Sequence, residues 1–196
     1  MPDTLQPGDF FAISGNDWFG RFQRFMLTRY MDPPSDRNHF GLLWEEHEGD
    51  WIVWESIPKG VVCDYLSNYK DERTIQFFRP VCDEAISKEA PEKLVEYGRD
   101  LYDFLLIGKM IWDAFAGTLR MLWREHRLRR FRPDEFTYKP NHAMICTEVV
   151  LQGYHEAGYD IAPPAWMPFP NVLEWARLQG RVRRLDIDWP RVVQDK

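Results

Sequence analysis

The 196-residue chain contains no apolar run of the roughly 18 residues that a membrane-spanning helix requires. Residues 1–5 also lack the basic stretch and following apolar stretch that are typical of a secretory signal. Cysteine is scarce as well. The three residues Cys63, Cys82 and Cys146 leave one thiol unpaired in any disulfide scheme, and none has the CxxC spacing of zinc and redox sites. We therefore expect a cytoplasmic protein that needs neither a metal nor another cofactor.

An excess of basic charge is also missing. The formal net charge of -6 argues against nucleic-acid binding, which normally requires a basic face over the whole domain. Hydrophobic residues make up 44% of the chain and charged residues 29%, which is typical of a folded protein. The length suits a single domain spanning residues 1–196. Its 9 Trp and 13 Phe residues indicate an aromatic core or groove, while the composition indicates no oligomeric state.

Turn signals separate short apolar stretches in the first half of the chain, which is the pattern of strands. In chain order we predict a strand at 9–13, a helix that carries Trp18, Phe22 and Phe25, a hairpin of strands at 39–44 and 51–55, and strands at 60–63 and 74–79. We then predict a helix from Pro91 to about residue 104, a helix from Cys146 to residue 157 that Gly158 ends, and a Pro-rich segment at 159–196 with a helix at 172–178 and a last strand or tail. Strands followed by helices indicate the α+β class.

A basic segment at 107–132 stands apart from this pattern. Its apolar residues recur at helical spacing and its arginines crowd the C-terminal end: Ile107, Met110, Ile111, Phe115, Leu119, Leu122 and Trp123, then Arg120, Arg124, Arg127, Arg129, Arg130 and Arg132. A cationic amphipathic helix of this kind can rest on an anionic membrane surface. A solvated helix over the core can have the same pattern, because the helix dipole favours cations near the C-terminus. We favour this second interpretation.

Cys146 is the strongest candidate for a nucleophile. A catalytic cysteine reacts as its thiolate, which a helix N-terminus and a neighbouring imidazolium stabilise. Cys146 opens a predicted helix, whose free backbone N–H groups could also bind the oxyanion of a tetrahedral intermediate. The alternative is that Cys146 only packs, because free cysteines are among the most buried residues. Cys63, in a predicted strand, and Cys82, in a polar turn, fit that alternative better.

His39 is the candidate base. It begins an apolar strand just after a Pro- and Asp-rich loop, so its side chain can reach an active site from the edge of the sheet. His142 competes with it, since it is four residues from Cys146, but a base normally approaches from another element. Glu55 ends the other strand of the hairpin and could hold the His39 imidazole in one tautomer. An exposed glutamate at a strand end is the alternative for Glu55.

Five motifs occur in an order that resembles one family over roughly residues 5–158. They are Pro7-Gly8-Asp9, His39-Phe40-Gly41-Leu42, Trp54-Glu55, Tyr102-Asp103-Phe104 and Ile145-Cys146-Thr147-Glu148. The order resembles that of the circularly permuted papain-like hydrolases related to the NlpC peptidases, of the YaeF/YiiX amidase type. Thr147 stands where that family more often has Ser. The resemblance implies a permuted papain-like α+β fold, in which an antiparallel sheet of about five or six strands packs against the nucleophile helix.

The resemblance also implies roles for particular residues. Cys146 would be the nucleophile, His39 the general base and Glu55 the residue that orients the imidazole. We expect substrate to contact Trp18, Phe22, Tyr102 and Asn141. The expected function is that of a cysteine amidase or peptidase, which acts through an acyl-enzyme on an amide of a peptide or lipid-modified substrate. The alternatives are a lipid acyltransferase or thioesterase at a membrane surface, and a catalytically silent module that binds a peptide or acyl chain.

Overall fold

A computed structural model of the protein describes residues 3–15, 18–98, 100–124, 129–136, 143–164 and 166–189. Within these ranges the elements follow one another as β1 (Phe10–Ile13), α1 (Trp18–Tyr30), β2 (His39–His47), β3 (Asp50–Ile57), β4 (Gly60–Tyr65), β5 (Gln76–Pro80), α2 (Glu84–Lys93), β6 (Leu101–Tyr102), α3 (Phe104–Arg124), β7 (Ala143–Met144), α4 (Cys146–Glu156), α5 (Asn171–Leu178) and β8 (Val182–Arg184). Short 3-10 turns lie at Leu66–Tyr69, Leu94–Tyr97 and Pro133–Glu135.

A six-stranded sheet dominates the fold, in the order β4-β3-β2-β1-β5-β8. Every neighbouring pair in it is antiparallel. The α+β class and the antiparallel sheet of five or six strands are therefore confirmed. β2 is an interior strand, so His39 reaches the rim of the sheet because it is the first residue of its strand, and not because its strand lies at an edge.

The hairpin between β2 and β3 has a local cause. Glu48 and Gly49, the two residues between the strands, have φ angles of 49° and 85°. Positive φ at both central residues defines the turn whose twist matches that of the flanking strands, and glycine adopts this conformation without strain. This turn sets the pairing of His47 with Asp50, and a register shift between Leu43 and Glu46 then brings Gly41 of β2 opposite Glu55 of β3.

Helix α4 packs on one face of the sheet. Its Val149 and Val150 are fully buried in one cluster with Phe40 and Leu42 of β2. At its far end the Tyr154 hydroxyl donates a hydrogen bond of 2.6 Å to the carbonyl oxygen of Gly8. These contacts direct the N-terminus of α4 towards the first residues of β2, where His39 lies.

Helices α1 and α3 form a second buried cluster beside the N-terminus of α4. Leu27 of α1 and Met31, the residue after α1, pack there with Ile107 and Met110 of α3, and Ile145, the residue before Cys146, belongs to the same cluster. The chain just before the candidate nucleophile is thus held between the sheet and this pair of helices.

The predicted helix from Pro91 to residue 104 is wrong. Pro91 lies inside α2, which begins at Glu84, and the chain then forms a 3-10 turn at Leu94–Tyr97. The chain is next extended as β6, which pairs in parallel with β7. The apolar spacing of Leu94 and Tyr97 also fits a 3-10 turn, and the strand partner of β6 is far away in sequence, so no local pattern indicated it.

The helix predicted for residues 107–132 is shorter than expected. Helix α3 begins at Phe104 and ends at Arg124, residues 125–128 lie outside the described ranges, and residues 129–132 are not helical. Phe131 is held in an extended conformation by two backbone hydrogen bonds. Its N–H donates to the carbonyl oxygen of Tyr30, and its own carbonyl oxygen accepts from the N–H of Asp32, each with a length of 2.6 Å. Among the residues described, no helix combines the length and apolar character needed to cross a membrane.

Candidate active site

Cys146 is the first residue of α4 and is buried. Ile145, the residue before it, has an extended backbone with φ -101° and ψ 166°. The N–H of Ile145 donates a 2.8 Å hydrogen bond to the carboxylate of Glu148 in the first turn of the helix. That contact is half of a capping box, which marks the start of a helix. The first N–H groups of any helix have no acceptor within it, so the thiol lies beside free backbone donors.

The His39 imidazole lies between a carboxylate and a thiol. Its Nε2 atom is 2.7 Å from Oε2 of Glu55, and the side chain of Cys146 is close enough to the ring to help raise the pKa of His39. Because Nε2 faces Glu55, Nδ1 is the ring nitrogen that remains for the thiol. The Cys146 sulfur is also 3.6 Å from the carbonyl oxygen of Asn38, the residue before His39.

The pairing of β2 with β3 brings His39 and Glu55 together. Gly41 is directly opposite Glu55, and His39 lies two residues before Gly41 on the same face of the strand, so His39 and Glu55 are diagonal neighbours. Gly41 itself is required by packing. A Cβ atom there would be only 2.4 Å from the ring of Phe11 on β1.

Tyr69 is a member of this cluster that the sequence analysis missed. Its hydroxyl donates a short hydrogen bond to Oε2 of Glu55 and lies 3.1 Å from Nε2 of His39. Burial and then the charge of Glu55 raise the pKa of Tyr69 above its usual range, so the phenol stays protonated and remains a donor. Tyr69 ends the 3-10 turn after β4, and no spacing in the sequence relates it to His39 or Glu55.

The electrostatics of the cluster favour a charged imidazole. Burial disfavours the imidazolium, but hydrogen bonds to Cys146 and Glu55 and the negative charge of both outweigh it and raise the pKa of His39 from 6.5 to about 10. Cys63 has a different environment, in which burial, Asp64 and Glu45 raise the pKa of its thiol to about 11. Burial also raises the pKa of Cys82. Among the described residues an imidazole acts on the Cys146 thiol and none is recorded against Cys63 or Cys82, and a neighbouring imidazole is the environment that stabilises a thiolate.

Contacts from β3 and β6 fix the backbone that carries Cys146. Ser56 follows Glu55 in β3, and its hydroxyl donates a 2.6 Å hydrogen bond to the carbonyl oxygen of Met144. Tyr102 pairs with Met144 in the short parallel ladder. Asp103 then caps the N-terminus of α3, because its carboxylate accepts a 2.6 Å hydrogen bond from the N–H of Leu106. The Tyr102-Asp103-Phe104 motif therefore connects helix α3 to β7, the short strand that precedes Cys146.

An apolar groove opens on the Cys146 thiol and encloses about 590 Å³, including its opening to solvent. It runs between α1 and α3, and its walls are mostly aliphatic, aromatic and methionine side chains. The lining residues are Phe22, Gln23, Met26, Leu27, Met31, Asn38, Tyr102, Ile107, Met110, Ile111, Ile145, Cys146, Phe169 and Pro170. A groove of this composition suits a hydrocarbon chain much better than a charged peptide.

The residues predicted to contact substrate have different positions. Phe22 and Tyr102 line the groove. Trp18 is 81% exposed and stacks on Phe22 with ring centroids 6.5 Å apart, so it lies outside the groove at its rim. Asn141 and the competing base His142 lie outside the described residues. The sequence analysis missed Asn38, whose side chain accepts from the N–H of Gly15 and donates to Gln23.

No His, Cys, Asp or Glu cluster suited to a metal ion occurs among the residues that the structure describes. Comparison with models of known protein families gives no match to the chain, and comparison with curated proteins gives none either.

Proposed function

We propose that this protein is a cysteine-dependent amidase that hydrolyses the amide of a fatty-acyl group through an acyl-enzyme. One observation carries the proposal: the His39 imidazole hydrogen-bonds Glu55 and interacts with the Cys146 thiol, which lines an apolar groove. A nucleophile, a base and a residue that orients the base form the minimal set for nucleophilic acyl chemistry. We extend the proposal to the fold, which we assign to the permuted papain-like hydrolases on the order of its motifs.

The first half of the reaction forms the acyl-enzyme. The Cys146 thiolate attacks the acyl carbon, a C–S bond forms, and the carbonyl oxygen becomes an oxyanion that the first N–H groups of α4 can stabilise. The C–N bond then breaks. The His39 imidazolium gives its proton to the departing nitrogen, so that a neutral amine leaves and the imidazole becomes neutral.

The second half returns the enzyme to its starting state. A water molecule attacks the thioester carbon while the neutral imidazole of His39 accepts its proton. The C–S bond breaks, the thiolate re-forms beside the imidazolium, and the acyl group leaves as a carboxylic acid. Glu55 keeps Nε2 of the ring occupied throughout, so that the other nitrogen faces the sulfur.

The groove supports a long acyl chain as the part of the substrate that is recognised. Ile145 and Cys146 line the groove together, so a chain lying between Phe22 and Ile107 can end with its carbonyl at the sulfur. The lining has few polar groups, and the charged or hydrogen-bonding side chains of a peptide would lose their hydration there without replacement.

Turnover of a fluorogenic amide of a long-chain fatty acid tests the proposal. The wild-type protein should release the amine, and Cys146→Ser should lower kcat/KM by at least about a hundredfold. Cys63→Ser is the matched control and should keep the wild-type rate, because Cys63 is exposed and β3 separates its strand, β4, from the strand of His39. Equal rates for the wild-type and Cys146→Ser proteins, or no amine release by either, would contradict the proposal.

Acyl transfer is the second candidate, because the apolar lining beside the thiol also suits a lipid acyl donor. The two reactions share the acyl-enzyme and differ only in the acceptor. Adding a primary alcohol or a long-chain amine to the assay distinguishes them by the product. Hydrolysis predicts mostly free fatty acid, whereas transfer predicts mostly the new ester or amide.

A further inference from the structure

Helix α3 has apolar side chains on two opposite sides. One side is buried against α1 through residues such as Ile107 and Met110. The other side faces solvent and carries Leu105, Trp112, Phe115, Leu119 and Trp123, of which Trp123 is 86% exposed. We call this outward side the α3 face. Apolar helix faces are normally buried, so a large exposed one indicates a surface that binds a partner.

The α3 face is continuous with the mouth of the groove. Ile111 both lines the groove and is exposed, one residue before Trp112. Across the groove, α1 presents Trp18 and Phe25 to solvent, beside the groove residue Phe22. Large apolar side chains from both helices therefore surround the opening through which a chain would reach Cys146.

The charges around this opening are opposite in sign to those of the rest of the chain. Residues 104–132 contain 7 basic and 2 acidic side chains, and residues 18–30 contain 3 basic and none that is acidic. The whole chain has 25 basic and 31 acidic residues, which leaves 15 basic and 29 acidic residues elsewhere. Arg130 is exposed just beyond the described part of α3, and the exposed Arg129 and Arg132 pair with Glu135 and Asp134, which follow the counted segment.

We infer that the α3 face docks on the surface of an anionic lipid bilayer, with the mouth of the groove against the acyl-chain region. An exposed apolar face that includes tryptophans, in a segment that also carries many cations, is a feature of a helix that lies in the membrane interface. Docking in this position gives an acyl chain a path into the groove without crossing water. The inference rests on the proposed function only for this path. The docking itself needs no catalysis.

Vesicle flotation with the wild-type chain tests the inference. The probe is a vesicle made of equal parts phosphatidylcholine and phosphatidylglycerol, compared with phosphatidylcholine alone, at low and high salt. We expect binding to the anionic vesicles at low salt, with weaker binding to the neutral vesicles and at high salt, because screening reduces the attraction of the arginines.

Two leucines allow a matched comparison. Leu119 lies on the α3 face and is 51% exposed, whereas Leu178 on α5 is 58% exposed. Leu119→Asp should weaken binding to the anionic vesicles by roughly tenfold or more, and Leu178→Asp should leave it unchanged. Thermal unfolding of both variants checks that they fold.

Three results would overturn the inference: no binding to anionic vesicles at low salt, equal binding by the two variants, or a stable dimer in solution that Leu119→Asp dissociates. The last result would assign the α3 face to a second copy of the chain. Failure of docking and failure of the proposed function are distinguishable. Amide hydrolysis without vesicle binding contradicts only the docking, and vesicle binding without amide hydrolysis contradicts only the catalysis.

Discussion

The Nε2 atom of His39 lies 2.7 Å from Oε2 of Glu55, and the same carboxylate oxygen accepts a hydrogen bond from the Tyr69 hydroxyl. This contact holds the imidazole in one orientation, with its other nitrogen left for Cys146. Because Glu55 is buried, its charge is poorly screened and acts mainly on these two partners.

The imidazole of His39 should titrate well above neutral pH. Its pKa is raised to about 10 by Cys146 and Glu55, so its NMR signals should still be those of an imidazolium at pH 8. In Glu55→Gln the negative charge is lost, and the pKa of His39 should fall back towards its ordinary value of 6.5. A His39 signal that titrates at the same pH in both proteins would show that Glu55 does not act on the ring.

The same shift predicts how stability depends on pH. The folded protein binds the His39 proton more tightly than the unfolded chain does, so this group stabilises the fold fully below pH 6.5. The contribution is lost as the pH rises through 6.5 to about 10. The free energy of unfolding, measured by denaturant titration, should therefore fall over this range more in the wild type than in His39→Gln.

Tyr69 should act as a positioning residue through Glu55. Tyr69→Phe removes the hydroxyl that holds the carboxylate, and we expect kcat/KM to fall roughly tenfold, with a smaller change in stability. The alkaline limb of the pH–rate profile should also move, which a purely structural role would not cause. Tyr97→Phe is the control, because the Tyr97 hydroxyl also donates to a carboxylate, that of Glu156, on the surface. It should leave both the rate and the profile unchanged.

Filling the groove should select against long chains. Met26 lines the groove and is half-buried, so Met26→Trp would occupy space that an acyl chain needs. We expect KM for a long-chain amide to rise by about tenfold, while kcat/KM for an acetyl amide changes little. The acetyl substrate is the internal control, since it reports on the intact cluster. Equal losses for both substrates would contradict the assignment of the groove to the acyl chain.

Gly41 should be required for stability. Gly41→Ala brings a Cβ atom to 2.4 Å from the Phe11 ring, so the free energy of unfolding should fall by about 1–3 kcal/mol. Gly108→Ala in α3 is the control, because a Cβ there meets nothing within 4 Å. Alanine favours a helix over glycine, so this variant should be up to about 1 kcal/mol more stable.

Much of the fold could be predicted from local patterns. The strands 39–44 and 51–55, the turn at Gly49 and the helix from Cys146 all depend on turn residues and side-chain periodicity within a few positions. The prediction failed between residues 94 and 104, because β6 pairs with a strand much later in the chain. Interactions between distant segments leave no mark on local spacing.

The site was predictable to a similar extent. His39, Glu55 and Cys146 stand out because their residue types suit acyl transfer and their order resembles that of one family, and because His39 and Cys146 each begin an element. Tyr69 does not, since an aromatic residue at the end of a 3-10 turn has many structural roles. The groove could not be predicted either, because it arises from how α1 and α3 pack, with Ile107 turned inwards and Trp112 outwards.

Trapping of the acyl-enzyme tests the central claim most directly. The protein would be mixed with a p-nitrophenyl ester of a long-chain fatty acid, quenched in acid, and analysed by intact and peptide mass spectrometry. The account predicts one acyl group per chain, on Cys146, formed much more slowly in His39→Ala. Acylation of Cys63 or Cys82 instead, or an equal rate of acylation in the wild-type and His39→Ala proteins, would contradict it.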